Sequence, residues 1–303
     1  MGASRTARRV TVAAALAAVA SAPVSGTAQE LSWTGGVAWY SGSYLFTERV
    51  HTIIVSNGLD LSLGEAGLVS LSVPVVIQNA PLVSTVGDGT LLPTGGPHHA
   101  AVARRRDGAP VVARPGTGAG GGGGPGEGQD PSDGTVVFDD AVRTRLADPF
   151  ASGSLALYGG DRGVLRAVRA TAGLKVPLTD LEDGVGTGRW DGSVGLSATG
   201  AAGTTLLVAD VSWWWLGDLP ELPLRDGPTG SLALLRPLSP DWSLLFSVSA
   251  SRAPVATADA PVWAGVGVGW LGHDDRLLSL TVRVGLTEGA PGFGVAGGWS
   301  VGL

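Results

Sequence analysis

The sequence predicts an all-β fold: a transmembrane, antiparallel, up-and-down β-barrel of about twelve strands, with one long disordered extracellular loop. Three observations carry this. Large apolar residues recur at every second position over segments of about ten residues, as in Leu278, Leu280, Val282, Val284 and Leu286. Tight turns alternate with long connections along the chain. Mean hydropathy is positive, yet no apolar run approaches the roughly 20 residues of a membrane helix.

The alternation is clearest in the last third, where Trp242, Leu244, Phe246 and Val248 are followed by Val262, Ala264, Val266, Val268 and Trp270. Phe293, Val295, Trp299, Val301 and Leu303 close the pattern. The intervening positions are mainly Ser, Gly, Thr or charged, which gives each strand one lipid face and one lumen face. Strands are expected, in order, at Ser32–Ser41, Val50–Leu61, Gly67–Ile77, Phe150–Tyr158, Val164–Val176 and Trp190–Thr199. Six more follow at Thr204–Trp215, Thr229–Arg236, Trp242–Ala250, Val262–Trp270, Leu277–Leu286 and Gly292–Gly302. An even number suits a single-chain bacterial barrel.

The connections fit the same reading. Leu63–Ala66, Gly159–Gly163, Gly200–Gly203, Pro237–Pro240 and Leu271–Asp275 are tight; Gln78–Pro149, Pro177–Arg189, Leu216–Pro228 and Ser251–Pro261 are long, while Thr287–Pro291 is short for that side and Gly42–Arg49 only modestly longer than the tight turns. Outer-membrane barrels show this asymmetry, with short periplasmic turns and long extracellular loops, whereas a soluble β-sandwich has no reason for it. Residues 1–28 read as a signal peptide: Arg5, Arg8 and Arg9 precede a short apolar run, and Gly26-Thr27-Ala28 offers a cleavage site. Residues 29–303 would then form an outer-membrane barrel, facing lipid and lipopolysaccharide.

Within the longest connection, residues 94–133 look like a low-complexity insertion. They contain His98-His99, Arg104-Arg105-Arg106 and the run Gly120–Gly124. That composition predicts disorder, because it buries too little apolar surface to offset ordering entropy. Arg104–Arg106 is a candidate contact for anionic lipopolysaccharide. Two adjacent histidines without a third ligand make no metal site.

With large apolar residues assigned to lipid, the opposite parity lines the lumen. It carries Asp60, Arg169, Lys175, Arg189, Asp191, Asp210 and Arg283 among many Ser and Gly positions. A charge facing lipid near the midplane costs ~2–4 kcal/mol, so the assignment is strongly constrained. These lumen charges either pair across the barrel to hold it shut or line a polar conduit. Trp33, Trp39, Trp190, Trp213, Trp215, Trp242, Trp270 and Trp299 fall near strand ends on the lipid side and read as interfacial girdles. Trp214 has lumen parity and is the candidate for stacking on an aromatic ligand.

Several short motifs resemble the outer-membrane family named after the meta-pathway of phenol degradation. They are Ser56-Asn57-Gly58-Leu59, Leu71-Ser72-Val73-Pro74-Val75 with Gln78-Asn79, and Gly173-Leu174-Lys175-Val176-Pro177. Gly186-Thr187-Gly188-Arg189-Trp190-Asp191, Ala209–Gly217 and Gly298–Leu303 complete the set. The resemblance implies a transporter of hydrophobic or aromatic compounds and carries over no substrate-binding residues.

Composition narrows the remaining classes. A net charge of −6 argues against nucleic acid as a partner, and no cysteine is present to bond or to anchor a lipid. Of four histidines, His51 is followed by Thr52-Ile53, so the His-x-Ser pair of a membrane lipid hydrolase is missing. No phosphate loop or zinc spacing appears, and no cofactor or enzymatic activity is expected. Three classes stay open: a channel for small, hydrophobic or aromatic compounds; a closed structural or adhesin-like barrel; and, last, a lipid hydrolase.

Overall fold

The computed structural model describes residues 30–87, 89–105, 109–115, 135–138, 142–161, 163–273 and 276–303. The leader expected at 1–28 and residues 116–134 of the glycine-rich stretch lie outside them. Twelve antiparallel staves close a barrel. They are built from β1 (Glu30–Gly42), β2 (Val50–Ser62), β3 (Gly67–Gln78), and a fourth stave made of two pieces described below. Then come β10 (Leu165–Lys175), β11 (Asp191–Ala202), β12 (Thr205–Trp215) and β13 (Gly227–Pro237). The last four are β14 (Trp242–Ser251), β15 (Val262–Leu271), β16 (Leu277–Gly285) and β17 (Phe293–Gly302). β1 pairs with both β2 and β17, which shuts the cylinder and removes every free edge.

The fourth stave is interrupted. β8 (Arg143–Leu146) pairs with the upper part of β3, Val75 opposite Leu146, while β9 (Phe150–Gly159) pairs with its lower part, Leu71 opposite Ala151. The break at residues 147–149 lies across from Pro74, which has no N–H to offer the ladder. It turns the side chain of Asp148 into the interior, where it is fully buried.

Register places the expected apolar set outside. Val211, Phe246 and Leu280 are 56%, 50% and 50% exposed although strongly apolar. A continuous outer belt of this kind is stable only in hydrocarbon, and a closed barrel is one of the two backbone arrangements that hydrocarbon tolerates. The protein is therefore an outer-membrane β-barrel. Aromatic rings gather at both rims: Trp33 meets Trp299 edge-on at 5.6 Å near the short turns, and Trp39 meets Phe293 at 5.9 Å near the long loops.

The long-loop end departs from the sequence reading. Residues 94–133 were expected to lack order, yet the described part of that stretch is packed. It includes helix α1 (His99–Arg104), with Ala101 and Val102 buried, and β6 (Val112–Pro115), which pairs in parallel with β7 (Thr135–Phe138). Val102 and Val111 join Phe46, Leu82, Val185, Leu222 and Val255 in one apolar cluster drawn from several connections. The physical reason is cooperative: no single loop could bury these residues, but loops gathered at one rim cover one another. Tyr44, in the β1–β2 connection, is part of this core, and burial, with Tyr40 nearby, pushes its phenol well above the ordinary range.

Candidate functional site

The longest connection also sends a small hairpin into the lumen. β4 (Ser84–Val86) pairs with β5 (Thr90–Leu92), Thr85 opposite Leu91. The Thr85 amide and hydroxyl both donate to the Val185 carbonyl, at 2.8 Å each. Ser84 and Thr94 hydroxyls meet at 2.6 Å across the hairpin base. At its tip, the Gly87 amide donates to Asp191 Oδ2 at 3.0 Å.

Asp191 belongs to a buried ionic hub. Lys175 Nζ lies 2.8 Å from Asp191 Oδ2 and 3.3 Å from Asp148 Oδ2, and donates to Thr187 Oγ1 at 2.6 Å. One ammonium thus faces two carboxylates. The surplus negative charge is met by backbone donors: Leu178 and Thr179 amides on Asp148 Oδ1, and the Gly217 amide on Asp191 Oδ1. Asp148 Oδ2 has the Lys175 ammonium as its ion-pair partner and no hydrogen bond, so removing that ammonium would leave an uncompensated buried ion. The hub ties the hairpin, the broken stave and two long loops to the barrel wall.

Trp214 is the second anchor. Gly87 sits with φ at +55°, and a Cβ there would lie 2.6 Å from the indole ring, so only glycine permits this approach. Phe150 stacks on the same indole at 5.9 Å. The Trp214 ring proposed for ligand stacking is therefore already in contact with the hairpin and with Phe150.

Space remains on either side of the hairpin. A cavity of about 640 Å³ lies between its tip and the wall β12–β16, and a second of about 300 Å³ lies towards β1–β3, β16 and β17. Tyr40, Gly87, Gly89 and Arg283 line both. The larger carries serines at 212, 231, 247, 249 and 251, the aromatic rings of Tyr40, Trp214 and Trp263, and the apolar hairpin residues Val86, Leu91 and Leu92.

The charged residues expected in the lumen divide into groups. Lys175 and Asp191 meet in the hub, and Arg283 and Asp210 face the larger cavity. Asp210 accepts from Ser231 Oγ at 3.0 Å. Arg169 reaches Ser154 Oγ at 3.5 Å and shares a row with Asp210 through their common register partner Ser197. Asp60 pairs with Ser32 and Ser70 near the short-turn rim. Arg189 is a correction: it lies exposed in the connection ahead of β11, beside Gly217, not in the lumen. Its odd number carries lumen parity, but the strand begins two residues later.

Sequence reasoning missed Asp148, Tyr40, Trp263, Arg225 and Arg252. Trp263 was readable from the same alternation, since it falls in step with Gly265, Gly267 and Gly269. The others sit at loop junctions or opposite glycine, where periodicity carries no message. Arg104 pairs with Glu221 at 3.2 Å, with both side chains exposed, and the His51 ring lies parallel to Trp39 at 6.0 Å.

No family model matches the chain, and no curated protein does. Solved structures do. The fold is similar to that of an outer membrane channel from Pseudomonas putida F1, with a TM-score of 0.57 at 11% identity, covering 91% of this chain and 96% of that one. The translocator domain of the autotransporter NalP from Neisseria meningitidis aligns with a TM-score of 0.46 at 10% identity, covering 99% and 96% respectively. At these identities the likeness is one of fold.

Proposed function

We propose that this barrel is an outer-membrane channel for small solutes, aromatic or otherwise apolar in part, whose passage is narrowed by the β4–β5 hairpin. The observation that carries the reading is the pair of cavities, about 640 and 300 Å³, left beside the hairpin and lined by small side chains. A barrel built only to be closed fills its interior with interlocking side chains; beside the hairpin, this one sets many Ser and Gly residues among the aromatic and arginine side chains. The apolar hairpin residues and the aromatic rings offer contact to an apolar solute, and the serines keep the path wetted.

The ionic hub supports a second reading, a closed barrel whose hairpin is a fixed plug. Planar-bilayer recordings of the refolded protein, together with liposome swelling in phenol, benzoate and glucose, separate the two. Discrete conductance with entry of the aromatic solutes is expected of the channel. A silent bilayer and unswollen liposomes belong to the plug.

A further inference from the structure

Building on the channel reading, we propose that the larger cavity contains a subsite for small aromatic carboxylates, with arginine taking the carboxylate and the Tyr40–Trp263 pair taking the ring. The charge distribution is the starting point. Arg225, Arg252 and Arg283 all line this cavity, against a single carboxylate, Asp210, among the described lining residues. Arg252 is held in place by donating Nη1 to the Asp226 carbonyl at 2.8 Å. Among the described residues, neither Arg225 nor Arg283 has a carboxylate within ion-pair distance.

Arg283 is presented deliberately by its neighbours. Its cross-strand partners are Gly265 on β15 and Gly294 on β17, and the Tyr40 ring lies over Gly294, where an added Cβ would come within 2.7 Å of it. Its stem passes over Gly265, where an added Cβ would come within 3.2 Å of Arg283 Cγ. Arg283 is exposed on the concave wall of the lumen, and a guanidinium there with no carboxylate among the described residues in ion-pair range attracts an anion. Its planar fork matches a carboxylate through two parallel hydrogen bonds.

The ring has its own contacts. Tyr40 and Trp263 meet edge-on, with centroids 6.0 Å apart and planes at 64°, and both line the cavity that Arg283 lines. Such a corner presents one aromatic face and one edge, which suits an offset or T-shaped arene. Ser249 and Ser247 on the adjacent β14, the cross-strand partners of Trp263 and Gly265, supply hydroxyls beside the ring. A plain hydrocarbon would use the rings and leave three guanidinium groups unmatched. Acetate would use the guanidinium and leave the rings empty.

The test uses full-length protein folded in detergent, titrated calorimetrically with sodium benzoate, sodium acetate and benzyl alcohol. Benzoate is expected to bind at least about tenfold more tightly than either comparison, and Arg283→Gln to weaken benzoate roughly tenfold, the size of one lost charge-assisted hydrogen bond. Benzyl alcohol should be indifferent to that change, and Arg189→Gln, outside the lumen, should be silent. Should Arg283→Gln fail to give a folded, heat-modifiable band, Arg225→Gln serves in its place. Equal binding of benzyl alcohol and benzoate, equal binding of acetate and benzoate, or an unchanged arginine variant overturns the subsite. Bilayer recordings on the same preparation keep the two readings apart: conductance without benzoate preference removes the subsite alone, and benzoate binding without conductance removes the channel alone.

Discussion

Lys175 Nζ lies 2.8 Å from Asp191 Oδ2, and the two residues are direct cross-strand partners on β10 and β11 with both side chains withdrawn from solvent. Because Asp191 also accepts from the Gly87 amide, the pair couples the barrel wall to the hairpin inside it.

Replacing Lys175 by Met should therefore cost more than a surface charge would. Asp148 and Asp191 would be left buried without a cation, a loss of about 3–5 kcal/mol. The urea midpoint of the refolded barrel, followed by the heat-modifiable band, should fall accordingly. Adding Asp148→Asn and Asp191→Asn should recover much of the loss. A Lys175→Met midpoint equal to wild type would contradict the hub.

Gly87→Ala tests the hairpin's contact with Trp214. The left-handed φ costs an L-residue about 1–2 kcal/mol, and the new methyl would meet the indole at 2.6 Å. Displacement of the tip should raise single-channel conductance. Combining Gly87→Ala with Trp214→Ala removes the clash but keeps the backbone strain, so thermal stability should recover only in part. A conductance that does not move in Gly87→Ala would show that the tip does not narrow the path.

Asp210 and Val211 are neighbours on β12 that face opposite solvents. Asp210→Arg should fold and shift ion selectivity towards anions, read as reversal potential in a salt gradient. Val211→Arg places a charge on the lipid belt and should cost about 2–4 kcal/mol and impair insertion. Equal folding of both variants would break the assignment of faces.

The loop cap makes a prediction opposite to the one its composition suggests. Removing residues 94–115 would uncover Phe46, Leu82 and Val185, whose neighbours Val102 and Val111 are fully buried. That deletion should lower stability and loosen the long-loop rim to added protease. Shortening 117–133 to about eight residues, enough at roughly 3.3 Å each to return from β6 to β7, should leave the band pattern unchanged. Tolerance of the first deletion and failure of the second would invert the account.

The staves were legible because lipid imposes one strict rule on every second residue. Eleven of the twelve were foreseen to within a few residues, as with Val50–Ser62, expected at Val50–Leu61; of the fourth, only β9 was, and β8 was counted into the long connection. The hairpin and the cap obey no such rule. Leu82-Val83 and Leu91-Leu92 are adjacent apolar pairs in a loop, a sign that something covers them, but neither pair says what. Asp148 escaped notice because its role comes from a break in the ladder opposite Pro74. Arg189 was misassigned because parity was extended past the strand's first residue. Parity named candidate lumen charges but not Asp148, Arg225 or Arg252, and the division into a buried hub and an open wall depends on where the hairpin lies.

The absence of cysteine from the chain makes one measurement the most direct test of an open lumen beside the hairpin. Ser247→Cys places a single thiol on the wall of the larger cavity, and Phe246→Cys places one on the lipid belt one residue away. A charged methanethiosulfonate reagent is then added to one side of a planar bilayer during recording, and afterwards to the other. The account predicts stepwise current block of Ser247→Cys by reagent from either side, and no change for Phe246→Cys. Steady wild-type-like current in Ser247→Cys under both additions, or no current to block, would contradict it.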